Sequence, residues 1–302
     1  VLAALVVWTG IWLQVKSGVE TGLARQAAAL RTKGWGVSWT GPRISGWPFR
    51  MDVTVDQVRL GEPSGWAMTA PTLKAEGLPY EPGHWIVAAP DGLTLFRPVK
   101  GPLAVAGRAI RASVSHLGGG RPRLSFEALD LTLTPQAGGQ PAVLSAAKRL
   151  ELHLQPGPDD QAALLVRIED GRLNPQSALG HLAPRLQLTW DARLSHVSAL
   201  KGVDWPAAVI AWSVAGGAMT VADADLALGD LSLRGSGGTL TVGQDGRLRG
   251  STPLTLADKR GGLHLGGLNL GALTFSGPLA LRFDGGRASI GPFPVGPALK
   301  VY

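Results

Sequence analysis

The sequence predicts a mainly β protein, in which a helical N-terminus leads into a long, curved antiparallel sheet. Three observations carry that reading. From Trp35 onward the chain consists of short runs in which apolar and polar residues alternate, the period-two signature of half-buried strands. Turn residues separate the runs, with 42 glycines and 22 prolines among 302 residues. Within several runs the apolar phase slips by one position, which a β-bulge restores while bending the strand. Because 45% of the residues are hydrophobic, the chain can build a core and is not a disordered low-complexity polymer.

Residues 1–15, VLAALVVWTGIWLQV, carry no charge before Lys16. As a helix they would span about 22 Å, against a hydrocarbon core of ~30 Å. They read as part of a transmembrane anchor, with Trp8, Trp12 and Lys16 at the membrane interface and everything after them exported. A cleaved signal peptide is the competing reading. Residues 16–34 follow as an amphipathic helix, since Val19, Leu23, Ala27 and Leu30 recur at helical spacing and Gly34 suits its end. Residues 35–302 form the β-rich body, with a junction between two halves expected near 200.

The first long run, SGWPFRMDVTVDQVRLGEP (Ser45–Pro63), opens with the bulky, rigid residues Trp47, Pro48 and Phe49. They are expected to plug one end of the sheet beneath the Val19/Leu23/Leu30 face of the helix. Met51, Val53 and Val55 then share a strand face, and Val58 and Leu60 continue it only if an extra residue intervenes near Asp56–Gln57. The same spacing of three separates Phe126 from Leu129, Leu228 from Leu231, and Leu265 from Leu268. Repeated bulges would roll the sheet into a groove or open barrel; a β-sandwich is the alternative. The candidate lining of the groove is Val55, Val58, Phe126, Leu129, Leu131, Leu226, Leu228, Leu231, Leu233, Leu268 and Leu270. A carboxylate at Leu231 would be tolerated in such a groove but not in a closed sandwich.

The net charge of +7 lies wholly in the first half, where 16 basic residues face 9 acidic ones; residues 151–302 hold 13 of each. A basic half beside an apolar N-terminus fits a phospholipid headgroup layer. Nucleic acid is not expected as a partner, because the cations are scattered singly and no binding motif appears. Without cysteine there are no disulfides, thiolate nucleophiles or thiolate metal sites. The chain lacks G-x-S-x-G, phosphate-loop, dinucleotide and H-E-x-x-H motifs, and its six histidines are dispersed. No catalytic residue, metal or cofactor is expected.

The segments GWGVSWTGPRISGWPFRMDVTV and LRFDGGRASIGPFPVGPALKVY, with Gly46-Trp47-Pro48-Phe49-Arg50 and Gly291-Pro292-Phe293-Pro294-Val295-Gly296 at their centres, resemble the bacterial envelope family catalogued as domain of unknown function twenty-one twenty-five. That family looks related to the AsmA-like proteins. The resemblance implies an inner-membrane anchor, a periplasmic β-rich body, and kinship with proteins thought to carry lipids in hydrophobic grooves. It implies no catalytic residues. The function expected is therefore a membrane-anchored periplasmic lipid-binding or lipid-transfer protein, with a phospholipid or other acyl-chain lipid and the inner membrane as partners. The alternative is a non-enzymatic envelope scaffold that binds a protein partner through a strand edge.

Overall fold

The computed structural model describes residues 2–117, 121–229, 231–256, 264–265, 268–269 and 279–302. The protein is mainly β, with 56% of residues in strands and 16% in helices, as the alternating runs require. It divides into two compact units. Unit 1 comprises Val1–Ala128 and Pro135–Gln140, and unit 2 comprises Leu129–Thr134 and Pro141–Tyr302. The division falls within one long strand rather than near residue 200.

Unit 1 begins with α1 (Leu2–Thr32), one continuous helix of 31 residues where an anchor and a separate amphipathic helix were expected. The change from uncharged to charged sequence at Lys16 does not end the helix. Gly34, in the left-handed conformation at φ 85°, lies just past its C-terminus. Among the described residues no helix is long and apolar enough to cross a membrane. The inward-facing residues are those the periodicity indicated: Ala27 is buried, and Val19, Leu23 and Leu30 are half-buried. Arg31 ties the helix to the first strand, its guanidinium donating to Val37 O at 2.8 and 3.0 Å.

The strands of unit 1 are β1 (Gly36–Ser45), β2 (Met51–Gly61), β3 (Ala67–Leu78), β4 (Glu81–Ala88), β5 (Leu93–Arg97), β6 (Gly101–Ala106), β7 (Ala109–Ser115) and the start of β8 (Arg123–Pro135). β1 pairs with β2 and β2 with β3, all antiparallel. The long β3 then meets two short strands laid end to end: β4 along residues 74–78 and β5 along residues 67–69. Beyond them β7 pairs with β4 and β6 with β5. Direct partners share a face, so the register assembles one apolar face from Met51, Val53, Val55, Val58 and Leu60 through Leu73 and Ala75 to Val87, Leu95, Leu103, Ala112 and Val114. The buried Arg97 holds the β5–β6 turn against the 136–140 segment, its guanidinium donating to Gly101 O, Lys100 O and Gln140 O.

The bulge expected near Asp56–Gln57 is present. Against β1 the register passes from Ser38↔Arg59 to Thr40↔Asp56, so β2 carries one extra residue, and Gln57 adopts φ 50°. An extra residue at Gly41–Pro42 on β1 then restores the register. Side chains pin the site: Arg43 Nη1 donates to Asp56 Oδ2 at 2.5 Å and Thr72 Oγ1 to Asp56 Oδ1 at 3.0 Å. These two donors hold the Asp56 carboxyl below the ordinary carboxylate range, Arg43 contributing most.

Unit 2 continues from the end of β8 with β9 (Leu144–Pro156), β10 (Ala162–Leu173), α2 (Ala178–Leu182), β11 (Arg185–Leu194), a 3-10 turn at Val197–Ala199, α3 (Trp205–Val214), β12 (Met219–Leu228), β13 (Leu231–Gly235), β14 (Thr239–Val242) and β15 (Leu248–Leu256). β16 (His264–Leu265), β17 (Leu268–Asn269), β18 (Leu279–Asp284), β19 (Arg287–Ile290) and β20 (Phe293–Pro297) complete it. The pairings run antiparallel from β9 through β10, β11 and β12 to β13 and β14, then through β15, β18 and β19 to β20. Here too a long strand meets two short ones end to end, β13 and β14 lying between β12 and β15.

The helix α3 was not foreseen. Asp204 caps it, its carboxylate accepting from Ala207 N at 2.9 Å, and Pro206 sits in its first turn. Its Val209 and Trp212 pack with Val221, Ala224, Leu240, Val242 and Leu248 into one buried cluster. A second cluster joins Leu173, Ala183, Leu228, Leu231, Leu233, Leu254, Ala288, Ile290 and Val295.

Two measurements test these local arrangements. A Cβ on Gly77 would lie 2.9 Å from the Trp85 ring of the neighbouring strand. Gly77→Val should therefore destabilise the protein by about 1–3 kcal/mol in urea titration, and cost less in a Trp85→Ala background. Arg43→Ala should raise the Asp56 carboxyl titration midpoint observed by NMR. The stability that this carboxylate contributes is present above its unfolded-state pKa and fades as pH falls through the folded value.

Candidate functional site

The loop Gly46–Arg50 between β1 and β2 is fixed unusually well for one that displays aromatic side chains. Arg50 N donates to Gly46 O at 2.9 Å, closing the turn. Gly46 has φ 99°, and a Cβ there would meet Arg50 O at 2.8 Å and Asp52 Oδ2 at 2.9 Å, so the closure requires glycine. Two indoles of α1 grip the same loop: Trp8 Nε1 donates to Pro48 O at 2.8 Å and Trp12 Nε1 to Arg50 O at 3.0 Å. Arg50 also approaches Asp52 at 3.6 Å and Glu76 at 4.0 Å.

This arrangement revises two expectations. Trp12, expected at a membrane interface, is only 6% exposed because it packs on the loop, and Trp8 and Lys16 are half-buried. Trp47 and Phe49, expected to be buried under the Val19/Leu23/Leu30 face, are 48% and 71% exposed, with Pro48 half-buried between them. The loop meets the helix about two and three turns before Val19, at the two tryptophans. Their indole N–H groups need acceptors when covered, and the loop carbonyls supply them. The aromatic rings of the loop are left facing outward. Val6, Val7, Ile11 and Leu13 on the same stretch of α1 are exposed as well. Helix and loop thus present an apolar cap of a kind that marks interaction sites.

The candidate groove residues do not all come together. In unit 1, Val55 is half-buried and Val58 buried, both on the apolar face described above. Phe126 is half-buried on β8. Farther along β8 the deeply buried positions are Ala128 and Leu131, three apart, with left-handed Asp130 between them. The slip therefore occurs one step later than the Phe126–Leu129 spacing implied, and Leu129 is only half-buried.

In unit 2, Leu228, Leu231 and Leu233 belong to the closed cluster with Leu173, Leu254 and Ile290, and Leu226 packs against it. Leu228 and Leu231 are direct cross-strand partners of a tight reversal, not neighbours across a bulge. Leu265 and Leu268 are paired in the same way. Leu270 lies outside the described residues. With Leu231 only 4% exposed among apolar neighbours, the tolerance expected of a groove does not apply at that position.

One arrangement of chemically active side chains was missed in the sequence. His84 Nε2 lies 3.2 Å from Ser113 Oγ, and His84 Nδ1 lies 3.8 Å from Glu81 Oε1. The strand pairing β4–β7 brings them together from positions 29 residues apart. The carboxylate is beyond hydrogen-bond distance and more than half exposed, so it does not orient the half-buried ring as a catalytic triad requires. Among the described residues no three histidine, aspartate or glutamate side chains are grouped to hold a metal.

The family described as "Uncharacterized protein conserved in bacteria (DUF2125)" matches residues 12–265, and the chain belongs to it. No curated protein and no solved structure matches.

Two substitutions test the cluster of unit 2. Leu231→Glu places an unpaired carboxylate among apolar side chains and should unfold the unit, read as loss of its cooperative transition by circular dichroism. Leu233→Ala, at a position with no exposure, should cost about 2–5 kcal/mol in urea unfolding.

Proposed function

We propose that this member of the bacterial DUF2125 family sits against the periplasmic face of the inner membrane and holds lipid acyl chains along the apolar face of unit 1. One observation carries the reading: the exposed apolar residues of α1 and the 46–50 loop lie at the end of β2 where the apolar face begins, Arg50 of the loop being followed by Met51. Met51 and Val53 at that end are buried, so an acyl chain would lie along the half-buried positions beyond them, Val55 and Leu73 and then Leu60 and Met68. Unit 1 rather than unit 2 is the candidate carrier. The corresponding leucines of unit 2 are engaged in packed clusters, whereas Val55, Leu60, Met68, Leu73 and Leu95 are only half-buried.

The interaction is large enough. At ~0.8 kcal/mol per buried CH₂, a chain of about 14 carbons gains on the order of 10 kcal/mol before ordering costs. No polar pocket is needed for such a ligand. Kinship with the AsmA-like proteins and residence in the periplasm are parts of the same proposal. A scaffold that recruits a protein by strand addition is less well supported. At one end of each unit's pairing order, β1 and β20 carry Pro42, Pro294 and Pro297, which have no backbone N–H to offer an added strand.

Val55 and Leu73 are direct partners in the middle of the unit 1 face. Val55→Glu and Leu73→Glu should each leave the circular dichroism spectrum intact and lower the lipid that co-purifies under native mass spectrometry severalfold. Unfolding would identify the face as a closed core, and an intact fold with unchanged lipid would overturn the proposal.

A further inference from the structure

We infer that the Gly46–Arg50 loop is a second membrane-inserting element, which enters an anionic phospholipid surface beside α1 and fixes how unit 1 stands on it. The inference rests on the membrane location proposed above and adds a depth and an orientation to it.

The argument begins with level. Trp8 and Trp12 are one helical turn apart, and their indoles hold Pro48 O and Arg50 O at 2.8 and 3.0 Å. The loop is therefore docked beside the middle of the uncharged stretch of α1 and not beside its charged continuation. Lys16, the first cation of the helix, lies one further turn on, about 6 Å along the axis. If the uncharged stretch enters the bilayer, the loop is carried in with it. The uncharged stretch cannot pass through as an isolated span while its two tryptophans remain bonded to the body.

The chemistry of the loop fits that depth. Pro48 O and Arg50 O accept from the indoles and Gly46 O from Arg50 N, so three of the five loop carbonyls would enter the bilayer already bonded. The side chains it presents, Trp47 and Phe49, are an aromatic pair suited to the boundary between headgroups and acyl chains. Arg50 follows them, with Asp52 at 3.6 Å and Glu76 at 4.0 Å, and the first half of the chain carries the entire cationic excess. An anionic lipid surface complements both features.

The absence of cysteine makes the test direct. Phe49→Cys, Val7→Cys and Val99→Cys in the full chain each accept one nitroxide label. All three positions are exposed, and Val99, on the β5–β6 turn, is 98% exposed. Vesicles of phosphatidylethanolamine and phosphatidylglycerol are added, and collision with oxygen is compared with collision with a water-soluble nickel chelate. The labels at 7 and 49 should both lose nickel access and gain oxygen access, while the label at 99 remains aqueous. An immersed label at 7 with an aqueous label at 49 would overturn the loop contact and leave the membrane location standing. Aqueous labels at both would overturn the two together, and an immersed label at 99 would overturn the stated orientation. Trp47→Ser/Phe49→Ser should fold normally, because both rings are exposed, and bind the same vesicles at least tenfold more weakly. Unchanged binding would also overturn the inference.

Discussion

The structure depends on keeping each strand's apolar side chains on one face while the strand twists and reverses. A period-two pattern fails whenever one extra residue enters, and every slip must be repaired or the remaining apolar side chains turn to the opposite face. The protein repairs the slips with residues in the left-handed region. Gln57, Asp130 and Asp170 sit inside strands with φ near 50°. At Asp170 the register of β10 against β11 passes from Ile168↔Leu188 to Gly171↔Leu186, again one extra residue on one strand. Two of the three are aspartates, whose short polar side chains tolerate this conformation better than most. At the first bulge β3 follows: its more buried positions change phase between Ala70 and Leu73, opposite the Val58/Val55 change on β2. Two strands turning over together keep the apolar face continuous without breaking their pairing.

The same reasoning explains what could be read from the sequence and what could not. Alternation and turn residues made the β class and most strands legible, and the spacing from Val55 to Val58 located the first bulge to the Asp56–Gln57 pair. A spacing of three, however, has two physical causes. A bulge preserves the strand direction, while a two-residue reversal places i and i+3 directly opposite each other on the same face. Leu228/Leu231 and Leu265/Leu268 are of the second kind. Their intervening Gly-Asp and Gly-Gly pairs are strong hairpin signals and would have separated the two cases. On β8 the small Ala128 carried the buried phase where the larger Leu129 attracted the assignment. The short α3 was hidden because the residues facing outward, Ile210 and Val214, are as apolar as those facing inward; its Asp-Trp-Pro start was the available sign.

At the candidate site, composition showed the apolar helix and the aromatic loop but not their relation. Trp-Pro-Phe before a strand reads naturally as a buried plug, since bulky side chains are usually covered. The structure instead uses the tryptophans of the helix as the covered anchors and the tryptophan of the loop as display. Sequence cannot separate these roles, because they depend on which indole finds a carbonyl 38 or 40 residues away.

The two units therefore solve the same folding problem with different degrees of closure. Both flank a long strand with two short ones laid end to end, which lets a sheet change direction without a free edge in its middle. In unit 2 the apolar face is filled from within: α3 and the C-terminal strands supply Val209, Trp212, Ile290 and Val295 to its clusters. In unit 1 the helix that could play this part is committed elsewhere, its tryptophans to the 46–50 loop and its C-terminal turn to β1. The middle of the unit 1 face is left half-buried, and any apolar ligand that covers it adds stability to unit 1 in proportion to its occupancy. Under the proposed lipid-binding function, such a face would gain stability from its cargo.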